Sequence, residues 1–306
     1  MLCLKARAKI NWTLDILGVR EDGYHLMDML MQSVSVYDTL WLEPADRLSL
    51  EPANAVRPAV EASPSADRMS AAFVSYGPDN LVYRAAELLR AKAGIKLGAR
   101  MRLAKRIPSG AGMGGGSADA AAALVGLNEL WRLGLSGGEL REIGLSLGAD
   151  IPFMLTGGLA RVGGIGETIV ALPAPPPVWL VLMQPCGGLS TREVFSAFDT
   201  LPQADLCRPD NPEAQRALLA GDLLALGRAM NNVLEGVSLK SRPAMAKAIA
   251  GLEEAHAVRA MMTGSGSVVY GVFEARAQAE QALSLLRGSC PVCLLAHTES
   301  SGIVRG

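Results

Sequence analysis

Apolar and polar residues alternate near the start of the chain. The apolar set is Ala6, Ala8, Ile10, Trp12, Leu14 and Ile16, and the polar set is Arg7, Lys9, Asn11, Thr13 and Asp15. Because successive side chains of a strand point to opposite faces, this pattern predicts a strand over residues 6–16 with one buried face. A turn at residues 18–23 and a second strand at residues 32–43 are expected next.

The rest of the chain gives a mixed pattern of helices and strands. The first half predicts a helix at 80–93, a strand that includes Met101, Leu103 and Ile107, and helices at 117–133 and 139–147. Residues 51–78 are rich in Pro, Ala, Ser and Asp and lack a period, which predicts a loop or a weakly ordered insertion.

The second half has the order of a ferredoxin-like α+β sandwich. The predicted elements are a strand at 178–183, helices at 212–233 and 242–256, strands at 260–262 and 268–273, a helix at 275–287 and a strand at 292–296. Glycines and prolines cluster at 157–177, so we expect two domains, spanning residues 1–160 and 161–306.

Composition narrows the class of partner. The chain has 306 residues, 50% hydrophobic content and a formal net charge of -1. With no long Lys/Arg run, it has no electrostatic footprint for nucleic acid or for an anionic membrane. The start lacks a signal-peptide pattern and no apolar run approaches the ~20 residues of a membrane span, which predicts a soluble cytoplasmic protein that binds a small molecule.

The five cysteines, at positions 3, 186, 207, 290 and 293, are odd in number and scattered. Cys290-Pro-Val-Cys293 could be a redox or metal pair, but no second pair lies at zinc spacing, and we interpret all five as small apolar residues. With three histidines, a histidine-rich metal centre is excluded by count.

Residues 108–119 form the most distinctive segment, Pro-Ser-Gly-Ala-Gly-Met-Gly-Gly-Gly-Ser-Ala-Asp. Glycine allows positive φ and close backbone approach, so several N–H groups can point at one anion. A helix predicted to begin near Ser117 adds free amides and the positive end of its dipole. The segment therefore predicts a loop that binds nucleotide phosphates.

Other glycine-rich loops fit less well. No Gly-Lys-[Ser/Thr] closes the segment, and Lys105 precedes it, so it is not a Walker A loop. Gly110, Gly112 and Gly115 satisfy Gly-x-Gly-x-x-Gly, but a second helix rather than a strand follows the first one, which argues against a dinucleotide-binding unit. A flexible linker is disfavoured because a strand and an apolar helix flank the loop.

Phosphoryl transfer to an alcohol would also need a cation and a carboxylate. Lys9 is the leading cation, with Asn11 on the same face of its strand, although a solvated lysine is the commoner fate of such a residue. Asp150 is the leading carboxylate because it lies in an apolar run before Pro152; a surface-turn aspartate is the alternative. Asp119 is interpreted as a structural residue of the first helical turn.

Five ordered motifs carry a resemblance to a known family. They are Ala8-Lys-Ile-Asn11, Arg20-Glu-Asp-Gly-Tyr-His25, Pro108 to Ala120, Leu147-Gly-Ala-Asp-Ile-Pro152 and Thr263-Gly-Ser-Gly266. Together they resemble the GHMP kinases over nearly the whole chain. The resemblance implies a two-domain α+β GHMP kinase fold, with an N-terminal ribosomal-protein-S5-like domain and a C-terminal ferredoxin-like domain.

The Gly-Tyr-His and Gly-Ala-Asp-Ile-Pro motifs point to one member of the superfamily. The resemblance then implies that ATP and Mg²⁺ are used to phosphorylate the 2-hydroxyl of methylerythritol linked to cytidine diphosphate, in the non-mevalonate route to isoprenoid precursors. Kinases of another small alcohol, such as homoserine or mevalonate, and a regulatory protein that binds nucleotide without turnover remain as alternatives. A monomer or a homodimer is expected.

The same resemblance implies a role for each site residue. Asp150 would activate the hydroxyl and Lys9 would orient it and stabilise charge. The expected substrate contacts are Asn11, Tyr24, His25 and Thr191. The expected ATP contacts are Asn80 and Lys105 near the adenine, and Pro108, Gly110, Gly112, Gly114, Gly115, Gly116 and Ser117 around the phosphates. Ser117 is also a candidate magnesium ligand, although the sequence leaves the metal site unknown.

Overall fold

The structure, a computed structural model, describes residues 1–53, 74–202 and 206–306. The strands are β1 (Leu2–Val19), β2 (His25–Ala45), β3 (Leu48–Pro52), β4 (Gly98–Ala104), β5 (Leu159–Gly164), β6 (Thr168–Leu172), β7 (Trp179–Gln184), β8 (Arg259–Met262), β9 (Val269–Phe273), β10 (Val292–His297) and β11 (Ile303–Arg305). The helices are α1 (Leu81–Ala93), α2 (Gly115–Leu130), α3 (Gly137–Leu145), α4 (Ile151–Thr156), α5 (Thr191–Phe198), α6 (Asn211–Ala220), α7 (Leu223–Ala229), α8 (Glu235–Ser241), α9 (Pro243–Glu254) and α10 (Arg276–Leu286).

The first sheet is built around the long hairpin of β1 and β2. Its strand order is β11-β1-β2-β4-β3, and β5 pairs with the first part of β2 and carries β6 at its other edge. All pairs are antiparallel except β3 with β4. The buried face of the Ala-rich helix α2 packs on β1 and β2 and places the glycine-rich loop before it at the end of the sheet.

The second sheet is antiparallel, with the order β10-β7-β9-β8. Helices α9 and α10 pack on it, as expected for the predicted ferredoxin-like arrangement. The prediction of a single helix over 212–233 is wrong: Gly221 ends α6 in the left-handed conformation, and Asp222 begins α7 by accepting the Ala225 N–H.

The second half of the chain packs against β1. Leu14 donates its N–H to Asn231 O and accepts from the Val233 N–H, both at 3.0 Å. Lys9 is 4% exposed and Asn11 is fully buried. The predicted single buried face is therefore wrong, because the second half of the chain covers the polar face as well.

The positions of α4, β3, β5 and β11 bear on further predictions from the sequence. Pro152 lies in the first turn of α4, as suits its fixed φ. A loop was predicted at 51–78, but Glu51 and Pro52 belong to β3. Residues 54–73 of that predicted loop lie outside the described residues. The predicted domain boundary after residue 160 stays a prediction; residue 160 lies in β5, which pairs in the first sheet, and β11 pairs with β1 in the same sheet.

All five cysteines are free thiols. Four are half-buried, and Cys207 is exposed, so the interpretation as a small apolar residue fails for Cys207. No helix in the described ranges is long and apolar enough to cross a membrane.

Candidate active site

The glycine-rich loop turns tightly between β4 and α2. Gly110, Gly112 and Gly114 have φ of 61°, 76° and 68°, the left-handed region that side chains rarely adopt. A methyl group on Gly112 would lie 2.2 Å from the Thr263 carbonyl oxygen, so the loop and the Thr263-Gly-Ser-Gly266 turn fit only without a side chain there. The loop is further fixed by hydrogen bonds from Lys9 N to Met113 O and from Val268 N to Ala111 O, each 3.1 Å.

One cavity of about 960 Å³ opens beside this loop. Its walls come from both halves of the chain. All of the sequence-predicted site residues line it except Asn80: Lys9, Asn11, Tyr24, His25, Lys105, Pro108, Gly110, Gly112, Gly114, Gly115, Gly116, Ser117, Asp150 and Thr191. Residues separated by more than 180 positions in the chain are thus brought to one site.

Asn80 stands outside the described lining of the cavity. Its side chain caps α1 by accepting the Val82 N–H at 2.8 Å, and its amide donates to Ser75 O at 2.5 Å. These contacts satisfy both ends of the amide. A contact between Asn80 and adenine stays a prediction.

Lys9, Asn11 and Asp150 converge near Gly114. Lys9 Nζ donates to Asn11 Oδ1 at 2.7 Å. A methyl group on Gly114 would lie 3.4 Å from Lys9 Cγ and 3.6 Å from Asp150 Oδ2, so the loop, the ammonium stem and the carboxylate are in close proximity. Burial lowers the pKa of Lys9, and the charge of Asp150 acts in the opposite direction.

Asn11 is held rigidly. Its N–H donates to Thr263 Oγ1 at 3.0 Å, and its carbonyl accepts the Tyr270 hydroxyl at 2.7 Å. Its amide nitrogen contacts Met29 Sδ at 3.3 Å. Since Asn11 orients Lys9, the turn before β9 also fixes the ammonium group.

A buried cluster of charged side chains, Lys105, Asp38 and Asp119, lies beside the glycine-rich loop. Lys105 donates to Asp38, and to Asp119 Oδ2 at 2.6 Å; Asp38 also accepts the backbone N–H groups of Arg106 and Ile107. The three side chains are at most 5% exposed. Two carboxylates share one ammonium, and burial raises the pKa of Asp119, with Asp38 adding to the rise and Lys105 opposing it.

The opposite end of the cavity is more open and carries aromatic rings. Tyr24 is 59% exposed, and the His25 ring lies 4.6 Å from the Phe195 ring, measured between centroids. His25 Nε2 is 2.7 Å from Asp199 Oδ1, and Thr191 Oγ1 is 2.9 Å from Ser265 Oγ. A flat ring with polar edges is the kind of ligand that this end can hold.

Oxygen donors for magnesium are few. Within the described ranges, no group of three His, Cys, Asp or Glu residues could hold a metal ion. Mg²⁺ commonly keeps several waters and binds through one or two protein oxygens together with substrate phosphates. The Ser117 hydroxyl, at the start of α2 and in the cavity wall, fits that kind of site.

Several site residues were missed in the sequence. Phe195 and Asp199 lie on and just after α5, an element that the pattern did not predict, and Asp38 lies in a strand that reads as apolar. A charged residue inside such a strand was the available signal for Asp38. Asp119, interpreted as structural, does lie in the first turns of α2, but its carboxylate also binds Lys105 in the cavity wall.

Two family models match the chain. The GHMP kinase N-terminal domain model matches residues 80–158, and the GHMP kinase C-terminal model matches residues 214–291. A solved homoserine kinase from Cytophaga hutchinsonii is 16% identical to this chain, with a TM-score of 0.72. The match covers 100% of this chain and 97% of the homoserine kinase, so the two proteins share the fold. The predicted two-domain α+β GHMP kinase fold is confirmed.

Several relatives with higher sequence identity belong to one kind of GHMP kinase. A protein of Pelotomaculum thermopropionicum named 4-diphosphocytidyl-2-C-methyl-D-erythritol kinase is 43% identical over 96% of each chain. A protein of the same name from Symbiobacterium thermophilum is 42% identical over 93% of this chain and 95% of its own. A crystal structure of 4-(cytidine 5'-diphospho)-2C-methyl-D-erythritol kinase has 31% identity and a TM-score of 0.78, covering 97% of this chain and 99% of its own.

The fold and these relatives define a small-molecule kinase. The chain belongs to the GHMP kinases and, within them, to the family of 4-diphosphocytidyl-2-C-methyl-D-erythritol kinases.

Proposed function

We propose that the protein transfers the γ-phosphoryl group of ATP to the 2-hydroxyl of 4-diphosphocytidyl-2-C-methyl-D-erythritol, giving the 2-phosphate and ADP, in the non-mevalonate route to isoprenoid precursors. The observation that carries the proposal is one cavity with a backbone phosphate loop, a buried lysine and a carboxylate at one end and aromatic side chains at the other. The names of the relatives supply the substrate.

At the reacting end, Asp150 is the proposed base. It takes the proton of the substrate hydroxyl, the freed oxygen attacks the γ-phosphorus, and the bond from that phosphorus to the bridging oxygen breaks to release ADP. Lys9 stabilises the negative charge that develops on the transferred group. The hydrogen bond to Asn11 keeps the Lys9 ammonium oriented. Among the ion pairs of the described residues, none joins Lys9 to a carboxylate.

The phosphate end holds ATP in this proposal. Backbone N–H groups of residues 110–117 and the amides at the start of α2 bind the triphosphate. Pro108 begins the loop, and Lys105 and Asn80 are proposed to lie near adenine. Bound Mg²⁺ would neutralise charge on the phosphates, with Ser117 as its protein ligand.

Tyr24, His25, Asn11 and Thr191 hold the cytidylyl substrate in this proposal. Tyr24 offers a stacking face, and His25 offers a polar edge beside the Phe195 ring. A solved homoserine kinase and a solved mevalonate kinase, each 16% identical to this chain, share the fold alone, so they lend no support to those alcohols as substrates.

The test is ADP release by the purified protein with Mg-ATP and each of three alcohols: the cytidylyl compound, homoserine and mevalonate. We expect turnover with the first alone, and a loss of about 10²–10⁴-fold in kcat for Asp150→Asn, the usual contribution of a general base. Asp46→Asn, which changes an exposed carboxylate in the turn between β2 and β3, is the matched control.

Turnover with homoserine or mevalonate but not the cytidylyl compound would replace the substrate and keep the fold. ATP binding without turnover of any of the three would favour a regulatory protein. A folded Asp150→Asn variant with most of its turnover would remove Asp150 from the role of base.

A further inference from the structure

Helix α5 turns one face to the cavity. Its opposite face carries Val194 and Phe198, which are buried, and the helix packs on α8. The cavity-lining residues on this face are Arg192, Phe195, Ser196 and Asp199. Their spacing of three and four residues is that of a single helical face. Burial of the other face therefore fixes which α5 side chains meet a ligand, and Arg192 is among them.

Arg192 differs from the other cations of the cavity wall. Within the described ranges, three Lys or Arg side chains line the cavity. Lys105 is held by two buried carboxylates. Lys9 donates to Asn11 and lies in the field of the Asp150 charge. Arg192 is exposed, and no hydrogen bond or ion pair joins its guanidinium to another residue that the structure describes. Its five N–H donors are therefore available to an anion in the cavity.

The aromatic end of the cavity lies on one side of Arg192. Phe195 follows Arg192 by three residues, which is about 4.5 Å further along the helix axis. The Phe195 ring packs on the His25 ring, with the centroids 4.6 Å apart. In the proposed function His25 contacts the base, so the backbone of Arg192 lies about one helical turn from the side chains that hold the base.

The reacting end of the cavity lies on the other side. Thr191, the neighbour of Arg192 in the chain, has its Oγ1 2.9 Å from Ser265 Oγ. Ser265 and its neighbour Gly264 belong to a turn that also approaches Lys9: a methyl group on Gly264 would lie 3.2 Å from Lys9 Nζ. Contacts in the cavity wall therefore lead from the aromatic end, past Arg192 and Thr191, to the ammonium at the reacting end.

We infer that the Arg192 guanidinium binds the diphosphate that joins the cytidine to the alcohol in the second substrate. The inference rests on the proposed function, because that function supplies this substrate. With the base at the aromatic end and the 2-hydroxyl at Asp150, the diphosphate lies between them, where the wall presents Arg192. A guanidinium can bind phosphate oxygens through two parallel N–H groups. Arg192 is thus a binding residue that makes no contact with the reacting atoms.

The inference separates two phosphate-binding groups within one cavity. The glycine-rich loop binds the triphosphate of ATP through its backbone, whereas Arg192 binds the diphosphate of the other substrate through its side chain. Loss of Arg192 should therefore weaken the cytidylyl substrate and leave the affinity for ATP unchanged. A hydrogen bond to a charged group contributes at least about tenfold to an affinity, and the low end of that range suits an exposed arginine.

Steady-state kinetics of Arg192→Gln, which removes the charge and keeps a long polar side chain, give the first test. We expect KM for the cytidylyl substrate to rise about tenfold, with kcat and KM for ATP each changing by less than about twofold. Arg192→Lys keeps the charge without the planar fork, so its KM should rise by only about threefold. Arg141→Gln, which changes an exposed arginine of α3 outside the cavity wall, is the matched control.

Binding of CDP and of cytidine isolates the contribution of the phosphates. Calorimetry is done with Mg²⁺ and a saturating non-hydrolysable ATP analogue, so that CDP occupies the site of the second substrate. We expect Arg192→Gln to weaken CDP about tenfold and cytidine by less than about twofold. Because cytidine lacks phosphate, its unchanged affinity would show that the variant has not disturbed α5.

Three results would overturn the inference: equal affinity of wild type and Arg192→Gln for CDP, an equal loss of affinity for CDP and cytidine, or a rise in KM for ATP in place of the cytidylyl substrate. Failure of the proposed function is recognised separately. If the wild-type protein does not phosphorylate the cytidylyl compound, the proposed function fails. If that turnover occurs and Arg192→Gln binds CDP as wild type does, the inference alone fails.

Discussion

The two ends of the cavity are built differently. The phosphate end is a continuous segment, residues 108–117, whose backbone faces the cavity and which buried contacts from Lys9, Lys105 and Thr263 hold in place. The aromatic end consists of side chains from the start of β2 and from α5, and Tyr24 is 59% exposed there. Backbone binding leaves little freedom for substitution, whereas exposed side chains can change without disturbing the fold.

This contrast suggests a division of work within the site. Phosphate is a common feature of all nucleotide triphosphates, and backbone amides at a helix start bind it without regard to the rest of the ligand. The identity of the alcohol depends on side chains at the other end. Substitutions at the phosphate end should therefore impair both stability and turnover, and those at the aromatic end should change substrate affinity alone.

The largest effect is expected for Gly112→Ala. The new methyl group would overlap the Thr263 carbonyl at 2.2 Å, and φ of 76° adds ~1–2 kcal/mol of strain. Displacement of the loop by about 1 Å should lower kcat/KM for ATP about 10²-fold. Steady-state kinetics and thermal unfolding measure both consequences.

Gly134→Ala provides the matched control. Gly134 has φ of 69°, but nothing lies within 4 Å of the position that a methyl group would take there. We expect a similar cost in strain and an unchanged KM for ATP. Equal losses of activity in the two variants would show that backbone strain, and not the contact with Thr263, explains the effect at Gly112.

A smaller effect is expected for Tyr24→Ala at the aromatic end. Stacking of a base on an aromatic ring contributes ~1–3 kcal/mol, so KM for the cytidylyl substrate should rise about 10-fold or more, with kcat nearly retained. Because Tyr24 is largely exposed, the unfolding temperature should not change. A drop in kcat with an unchanged KM would place Tyr24 outside base recognition. Tyr24→Phe keeps the ring and should behave as wild type.

The smallest effect is a change in the pH dependence of stability for Asp119→Asn. Burial raises the pKa of Asp119 above 3.8, so the folded state binds its proton more tightly than the unfolded state does. The free energy of unfolding contributed by this group is therefore greatest below pH 3.8 and declines as pH rises through the folded pKa. Asn does not titrate, so the free energy of unfolding of wild type relative to Asp119→Asn should fall as pH rises above 3.8.

Urea unfolding of wild type and Asp119→Asn at a series of pH values from about 4 upward measures this change. Asp46→Asn, which changes an exposed carboxylate in the turn between β2 and β3, is the matched control variant. A constant difference between wild type and Asp119→Asn would mean that Asp119 is ionised throughout, with Lys105 outweighing both burial and Asp38.

The sequence predicted more of the phosphate end than of the aromatic end. Residues 108–117 are contiguous, and glycine content reports directly on backbone conformation, so the loop and the helix after it could be predicted locally. Phe195 and Asp199 could not, because α5 was not recognised and nothing in the pattern relates residue 199 to residue 25. For Asn80, the resemblance predicts a contact with adenine, and its local pattern did not reveal that the side chain caps α1.

Local pattern by itself predicted the glycine-rich loop and most helices and strands, and the motifs that carry the family resemblance predicted the class of fold and part of the cavity wall. Tertiary structure decided the environment of those residues. The polar face of β1 is buried because the second half of the chain packs on it, and the cluster of Lys105, Asp38 and Asp119 forms because β2, β4 and α2 meet there. Backbone conformation follows from neighbours in sequence, whereas burial and charge pairing depend on residues that only folding brings together.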